Sequence, residues 1–367
     1  MCNNRFDPMR CIMPPYIMRK MHQTATNTTE TERLTELFHT NRIKADREFI
    51  ATLPAHQQRI LVGAAPIKVE HHSKNKKKKA RPVINIYDCR HGYDLPGKVV
   101  QRPKNGKFED PDARKVYDGI YQCWKFYYEL YKRDSVDAHG MHFKNTIHYG
   151  KRYGNAMWDG KQMIFGDGDG KTFKSFTADL DIIGHEITHA LVQFTSNFAY
   201  EFQPGALNES YADVFGMLIK QRAMNLTVKE SDWLIGGQTM LGRKYALRSM
   251  KAPGTAYIGH PYWGDDPQPA TMKDYMKLDY TDADDWGGVH WNSGIPNYVF
   301  YVTAMNLGGY AWKKAGKIWY EALTKELRYN STFEDAKKAT IRQAVRLFGS
   351  GSLEEKAVKH GWKTAHV

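Results

Sequence analysis

The 367-residue chain has no apolar run approaching the ~18 residues that a membrane-crossing helix requires, so no segment is read as spanning a bilayer. Cysteine is scarce. Cys2, Cys11, Cys89 and Cys123 are too few at this length to demand a disulfide framework, and a reduced start in the cytoplasm is expected. A secretory apolar core is missing as well: MCNNRFDPMRCIMPPYIMRKM scatters charge and places Pro14 and Pro15 where such a core would lie. The expected location is the cytoplasm, or outside the cell by a non-standard route. Asn27, Asn225 and Asn330 sit in glycosylation-type triplets, which carry no weight without a secretory signal.

Acidic residues are in deficit, 40 against 53 Lys and Arg, which gives a formal charge of +13. The excess is sharpest at Lys74, Lys76, Lys77, Lys78, Lys79 and Arg81. No aromatic-interleaved basic motif accompanies this run, so nucleic-acid binding is not expected. The run is read instead as a solvated linker and processing segment.

What is present is enough apolar residue, 41% of the chain, to build two subdomains and a short leader. The leader shows an amphipathic helical pattern in TETERLTELFHTNR and a second helical stretch in ADREFIATLPAHQQRILVG. Then come a strand-like VINIYD, a long helix DARKVYDGIYQCWKFYYELYKR with an aromatic stripe suited to a core, and strands flanking GNAMW. Helical periodicity near 208–224, 293–308, 312–328 and 332–347 makes the second half mostly helical. The fold class expected is α+β, divided into a leader (1–75), a β-rich catalytic subdomain (76–200) and a helical subdomain (201–367).

The chemistry is concentrated in DIIGHEITHAL and GALNESYADVFG. On a helix, His185 and His189 lie one turn apart on one face and can offer imidazole nitrogens to one tetrahedral ion, with Glu209 from the next helix as third ligand. The surrounding Ile182, Ile183, Ile187, Leu191 and Val192 would bury these polar groups at a loss unless something paired them. Such a ligand set leaves a fourth position for water, and Glu186, flanking the metal, is placed to take that water's proton. Asp213, one turn beyond Glu209, is the natural acceptor for a ligand imidazole's second N–H.

HEITH followed by NESYAD is similar to the thermolysin-like metallopeptidases, and YGNAMWDG (153–160), FGDGDGKTF (165–173), LRSM (247–250) and DWGGVHWNSGIPN (285–297) agree with that family in order and spacing. The strings span most of residues 110–367. The resemblance implies a two-subdomain fold with zinc in the cleft between the halves. It also implies a neutral endopeptidase that cleaves on the N-terminal side of bulky hydrophobic residues. By resemblance, Asp213 orients His185 and Asn208 supports His189. His290, held by Asp285, and Tyr200 stabilise charge on the opposite side of the scissile bond. Arg248 grips a substrate carbonyl, and Asn155 and Ala156 bind substrate backbone as an added strand. Phe173, Ile182, Val192 and Leu247 line the pocket for the residue after the cleaved bond.

One departure concerns calcium. Of the acidic set that builds the family's double calcium site, Asp181 and Asp232 match, but Lys220, Leu234 and Gly237 occupy the other positions. A double site is therefore not expected, at most one weak calcium is, and Lys220 is expected to pair with Asp181 in its place. GDGDG at 166–170 is read as a turn rather than a calcium loop. CIMPPY (11–16) resembles the leader of the protealysin branch, which implies a propeptide that occupies the cleft and is later removed, by self-cleavage between Val62 and Arg81. Peptide or protein substrates, the chain's own propeptide and a monomeric state are the partners expected. The alternative from another class is a catalytically silent zinc-binding homologue acting as a binding protein.

Overall fold

Runs of β-branched and aromatic residues make five short strands: β1 (Ile84–Asp88), β2 (Lys98–Val99), β3 (Phe143–Ile147), β4 (Ala156–Trp158) and β5 (Met163–Phe165). In the computed structural model, which describes residues 12–14, 17, 20, 50, 53, 55–61, 81–101, 108–242 and 245–367, they form one sheet in the order β2-β1-β3-β5-β4. β1, β3 and β5 run parallel, while β2 and β4 pair antiparallel at the two edges. Parallel strands are covered on both faces, and every residue of β4 and β5 is accordingly buried.

A short helix, α1 (Ala55–Leu61), precedes the sheet. The TETERLTELFHTNR helix, Cys2, Cys11 and the lysines of the basic run lie outside the described residues. The aromatic-striped helix forms as α2 (Pro111–Tyr131), its N-terminus capped by the Asp110 carboxylate, which accepts from the Asp112 and Ala113 amides. Cys89 and Cys123 are free and buried, and burial pushes the Cys89 thiol up to about 11.

Two helices form the centre of the molecule, α3 (Leu180–Gln193) and α4 (Phe202–Ala223), both almost wholly buried along their lengths. They touch backbone to backbone. A Cβ added at Gly216 would stand 2.4 Å from the Asp181 carbonyl oxygen, and one at Gly184 would stand 2.9 Å from the Gly216 Cα. Glycine at both positions lets the helices approach closely enough to share side chains across the gap.

Further helices among the described residues are α5 (Asp285–Asn292), α6 (Gly294–Leu307), α7 (Ala315–Lys325), α8 (Phe333–Phe348) and α9 (Leu353–Thr364). The C-terminal half is helical as expected, with three differences. α4 begins at Phe202 rather than Asn208, because Pro204 falls in the first turn, where its missing N–H costs nothing. α5 is an additional short helix whose first turn is left-handed, with positive φ from Asp285 through Gly288. α9 is also additional, opened by the Ser352 hydroxyl accepting from the Glu355 amide. Among the described residues, no helix is long and apolar enough to cross a membrane.

Candidate active site

α3 carries His185 and His189 one turn apart, and α4 brings Glu209 against them; all three are fully buried. His185 Nδ1 lies 2.8 Å from Asp213 Oδ1, and His189 Nδ1 lies 2.9 Å from Asn208 Oδ1. Both partners are acceptors, so each Nδ1 carries its proton and each neutral ring turns a lone pair outward at Nε2. Those two Nε2 atoms face one another at 2.9 Å, and each is 3.3 Å from a different Glu209 oxygen. Facing lone pairs with a carboxylate beside them have no reason to converge except around a cation. Donors spaced near 3.3 Å suit a tetrahedral shell about 2.0–2.1 Å in radius, the shell of zinc with nitrogen and oxygen ligands. The residues present fit that ion.

The surrounding charges favour it as well. Burial pushes the Glu209 carboxyl up, but His290 and His189 hold it well below the usual carboxylate range. Burial acts the same way on Asp213, and the Arg248 guanidinium beside it overrides the effect, helped by His185. Burial disfavours positive charge at His185, yet the Asp213 and Glu209 contacts act the other way and outweigh it, the direction in which a cation shared by these groups is favoured and the ring left neutral as its ligand. Glu186, the next residue after His185, is fully buried on the same helix.

On the far side of Glu209 stand Tyr200 and His290. The Tyr200 hydroxyl donates to Glu209 Oε1 in a short hydrogen bond and lies 3.3 Å from His290 Nε2. Asp285 fixes His290 twice, accepting from its Nδ1 at 2.7 Å and from its backbone amide at 2.6 Å. The left-handed turn at Asp285 is what folds this carboxylate back onto the ring five residues later.

Arg248, on a two-residue strand (Arg248–Ser249) paired with Leu234–Ile235, grips Asp213 through Nε and Nη2, both at 2.7 Å. Its Nη1 donates to the Ile12 carbonyl at 2.8 Å. Ile12 and Met13 also reach the outer edge of β4: the Ile12 amide donates to the Ala156 carbonyl at 3.2 Å and the Met13 amide to Asn155 Oδ1 at 3.2 Å. Phe173, Ile182, Val192 and Leu247 are buried in the same apolar cluster as Ile12 and Met13. A second contact joins the leader to α3, where Gln193 Nε2 donates to Gln58 Oε1 at 3.1 Å and Gln193 Oε1 accepts from Trp158 Nε1 at 2.8 Å.

Behind α3, Lys220 Nζ lies 2.9 Å from Asp181 and 3.4 Å from Asp232, and donates to the Leu234 carbonyl at 3.2 Å. In the GDGDG segment, Asp169 Oδ1 accepts from the Lys171, Thr172 and Phe173 amides, the pattern of a turn.

Two residues of the site carried no sequence signal strong enough to assign. Asn297 Nδ2 donates to Asp213 Oδ2 at 2.8 Å, and Gln268 Nε2 donates to the His290 carbonyl at 2.6 Å. Only the polarity of Asn297 within the otherwise apolar GIPNYVF hints at such a role.

Comparison with known proteins agrees with this geometry. Residues 57–193 match the family model described as thermolysin metallopeptidase, catalytic domain, and residues 196–367 match its alpha-helical domain. The chain is 39% identical over 362 residues to "Protease PrtS" of Photorhabdus sp. (strain Az29), covering 97% of this chain and 91% of that protein. It is 36% identical over 370 residues to "Extracellular metalloprotease" of Pectobacterium carotovorum subsp. carotovorum, covering 98% and 97%. Among solved structures, the precursor of protealysin, a metalloproteinase from Serratia proteamaculans, superposes with a TM-score of 0.79 at 35% identity, covering 98% of this chain and 99% of that one.

Proposed function

Because the chain belongs to the thermolysin metallopeptidases, a family of zinc-dependent metalloendopeptidases, we propose that it cleaves peptide bonds on the N-terminal side of bulky hydrophobic residues and is made as an autoinhibited precursor. The observation that carries the catalytic part is the convergence of His185 Nε2, His189 Nε2 and Glu209, whose outer hydrogen bonds leave both imidazoles with lone pairs facing inward.

These three residues would hold zinc, which would supply Lewis acidity and a water of lowered pKa. Glu186 takes the proton of the attacking water and passes it to the leaving amine. His290, oriented by Asp285, and the Tyr200 hydroxyl donate to the oxygen that gains negative charge as the carbonyl is attacked. Asp213 and Asn208 fix the tautomers of the two ligand imidazoles. The open edge of β4 receives substrate backbone through Asn155 and Ala156, and Arg248 holds a carbonyl. The apolar set of Phe173, Ile182, Val192 and Leu247 takes the side chain after the cleaved bond. With Lys220 paired to Asp181 and Asp232, a double calcium site has no place here, and at most one weak calcium binds.

Autoinhibition is supported by the leader contacts. Ile12 and Met13 use the groups assigned to substrate, namely the Ala156 carbonyl, Asn155 and Arg248. Residues 1–75 are assigned to the leader, 76–200 to the catalytic subdomain and 201–367 to the helical subdomain, and the enzyme is assigned as a monomer. Self-cleavage between Val62 and Arg81 releases the cleft. N-terminal sequencing of wild type and Glu186→Gln tests this step, since identical processing in both would show that another protease performs it. A fluorogenic peptide with Leu or Phe after the scissile bond, assayed with and without a zinc chelator, tests the activity. Chelator-sensitive cleavage before that residue is expected. Zinc binding without cleavage would instead favour a silent binding homologue.

A further inference from the structure

Two backbone segments with positive φ meet beside the catalytic residues. Phe202, two residues after Tyr200, has φ +48° and its residue is 39% exposed. Trp286, between Asp285 and the tandem glycines, has φ +56°. Bulky aromatic residues rarely adopt this region, and such conformations cluster at working sites. The two segments touch through a glycine: a Cβ added at Gly287 would stand 2.3 Å from Phe202 Cδ1, so the phenyl ring lies directly on that backbone. Tyr280 completes the surface, with its ring centroid 6.1 Å from Phe202 and 5.2 Å from Trp286.

We propose that Phe202, Tyr280 and Trp286 form an aromatic shelf that receives an apolar side chain of the substrate on the N-terminal side of the scissile bond. Their place in the site argues for that side. Arg248 reaches the ligand set through Asp213, behind His185, whereas Phe202 and Trp286 flank Tyr200 and His290, which meet the set at Glu209. Leu247, in the apolar pocket assigned to the residue after the bond, adjoins Arg248 in the chain, so the Tyr200–His290 side serves residues before the bond. This step rests on the endopeptidase reading above. A core role would have enclosed the Phe202 ring; a contiguous aromatic surface with Phe202 exposed and Tyr280 and Trp286 half-buried suits stacking against an aromatic or branched apolar group.

The test uses processed enzyme and quenched peptides with Leu fixed after the bond and Phe, Leu, Ala or Gly at the first or second position before it. At one of those positions, wild type is expected to prefer Phe over Ala by about tenfold or more in kcat/KM. Phe202→Ala, Tyr280→Ala and Trp286→Ala are each expected to bring that ratio towards unity. Selectivity after the bond (Leu against Ala) should stay at the wild-type value. Ratios within one preparation are independent of the folded fraction. Tyr280→Ala leaves both strained turns intact, so it decides the matter if the other variants do not fold. No preference at either position in wild type, or a preference that Tyr280→Ala retains, overturns the shelf. Failure of wild type to cleave any of the peptides would overturn the endopeptidase reading itself.

Discussion

Arg248 donates to the Ile12 carbonyl at 2.8 Å while its other nitrogens hold Asp213. The leader thus uses the donor assigned to substrate, and it does so from a guanidinium already anchored to the carboxylate that orients His185. Leader and substrate cannot both take Arg248 Nη1. A leader fragment containing residues 1–62, added to processed enzyme, is therefore expected to inhibit competitively, raising KM with kcat unchanged. Inhibition that lowered kcat alone would contradict a shared site.

Gln58 is the leader's second hold. Its amide oxygen accepts from Gln193 at the end of α3, whose Nε2 also donates, at a longer 3.4 Å, to the Gly160 carbonyl. Leaving a buried amide short of its partner costs about 1–3 kcal/mol. Gln58→Leu is expected to loosen the precursor by that amount, seen as earlier appearance of activity during maturation. An unchanged activation time course would show that this contact does not contribute.

Lys220, largely buried, is pulled above the ordinary lysine range by Asp181 and Asp232 against the opposing effect of burial. Removing one member of a buried pair strands the other, at a cost of about 3–5 kcal/mol. Lys220→Met is expected to lose stability of that order in denaturant unfolding. Wild type is expected to keep its melting temperature when calcium is removed with zinc retained. A sharp fall on calcium removal would refute the substitution of lysine for calcium.

Much of this is legible in the sequence. The zinc ligands declare themselves because helical spacing forces His185 and His189 onto one face, and the Asp213 spacing follows one turn after Glu209. The sequence does not display the close helix crossing at Gly184 and Gly216, since a glycine inside a helix pattern gives no sign of what it approaches. Nor could it show that Arg248 and Asn297 share Asp213 from two distant segments, because long-range polar partners leave no periodic trace. α5 escaped periodicity through its left-handed turn, and α4 began early because Pro204 sits where proline is tolerated. For α9 a signal existed in Ser352 followed by Glu355, but its apolar pattern is thin.

His148 supplies a pH prediction away from the metal site. The Asp167 hydrogen bond, joined by that of Asp110 and opposed by burial, raises its pKa to about 9 from an ordinary 6.5. A raised folded-state pKa means the pair's stabilisation is complete below about pH 6.5 and is lost as pH rises through about 9. For a partly exposed group, screening reduces the effect to about 1–2 kcal/mol. In a Glu186→Gln background, which prevents self-digestion, the stability gap between wild-type His148 and His148→Gln should narrow between pH 6 and pH 10. A gap constant across that range would contradict the pairing with Asp167 and Asp110.

The most direct measurement is metal stoichiometry on purified, processed protein, taken alongside peptide cleavage in the same sample. One zinc per chain is expected in wild type and in Glu186→Gln, the latter inactive, with zinc lost from His185→Ala and Glu209→Ala and activity restored to chelated wild type by added zinc. A processed chain that is free of metal yet fully proteolytic would contradict the account.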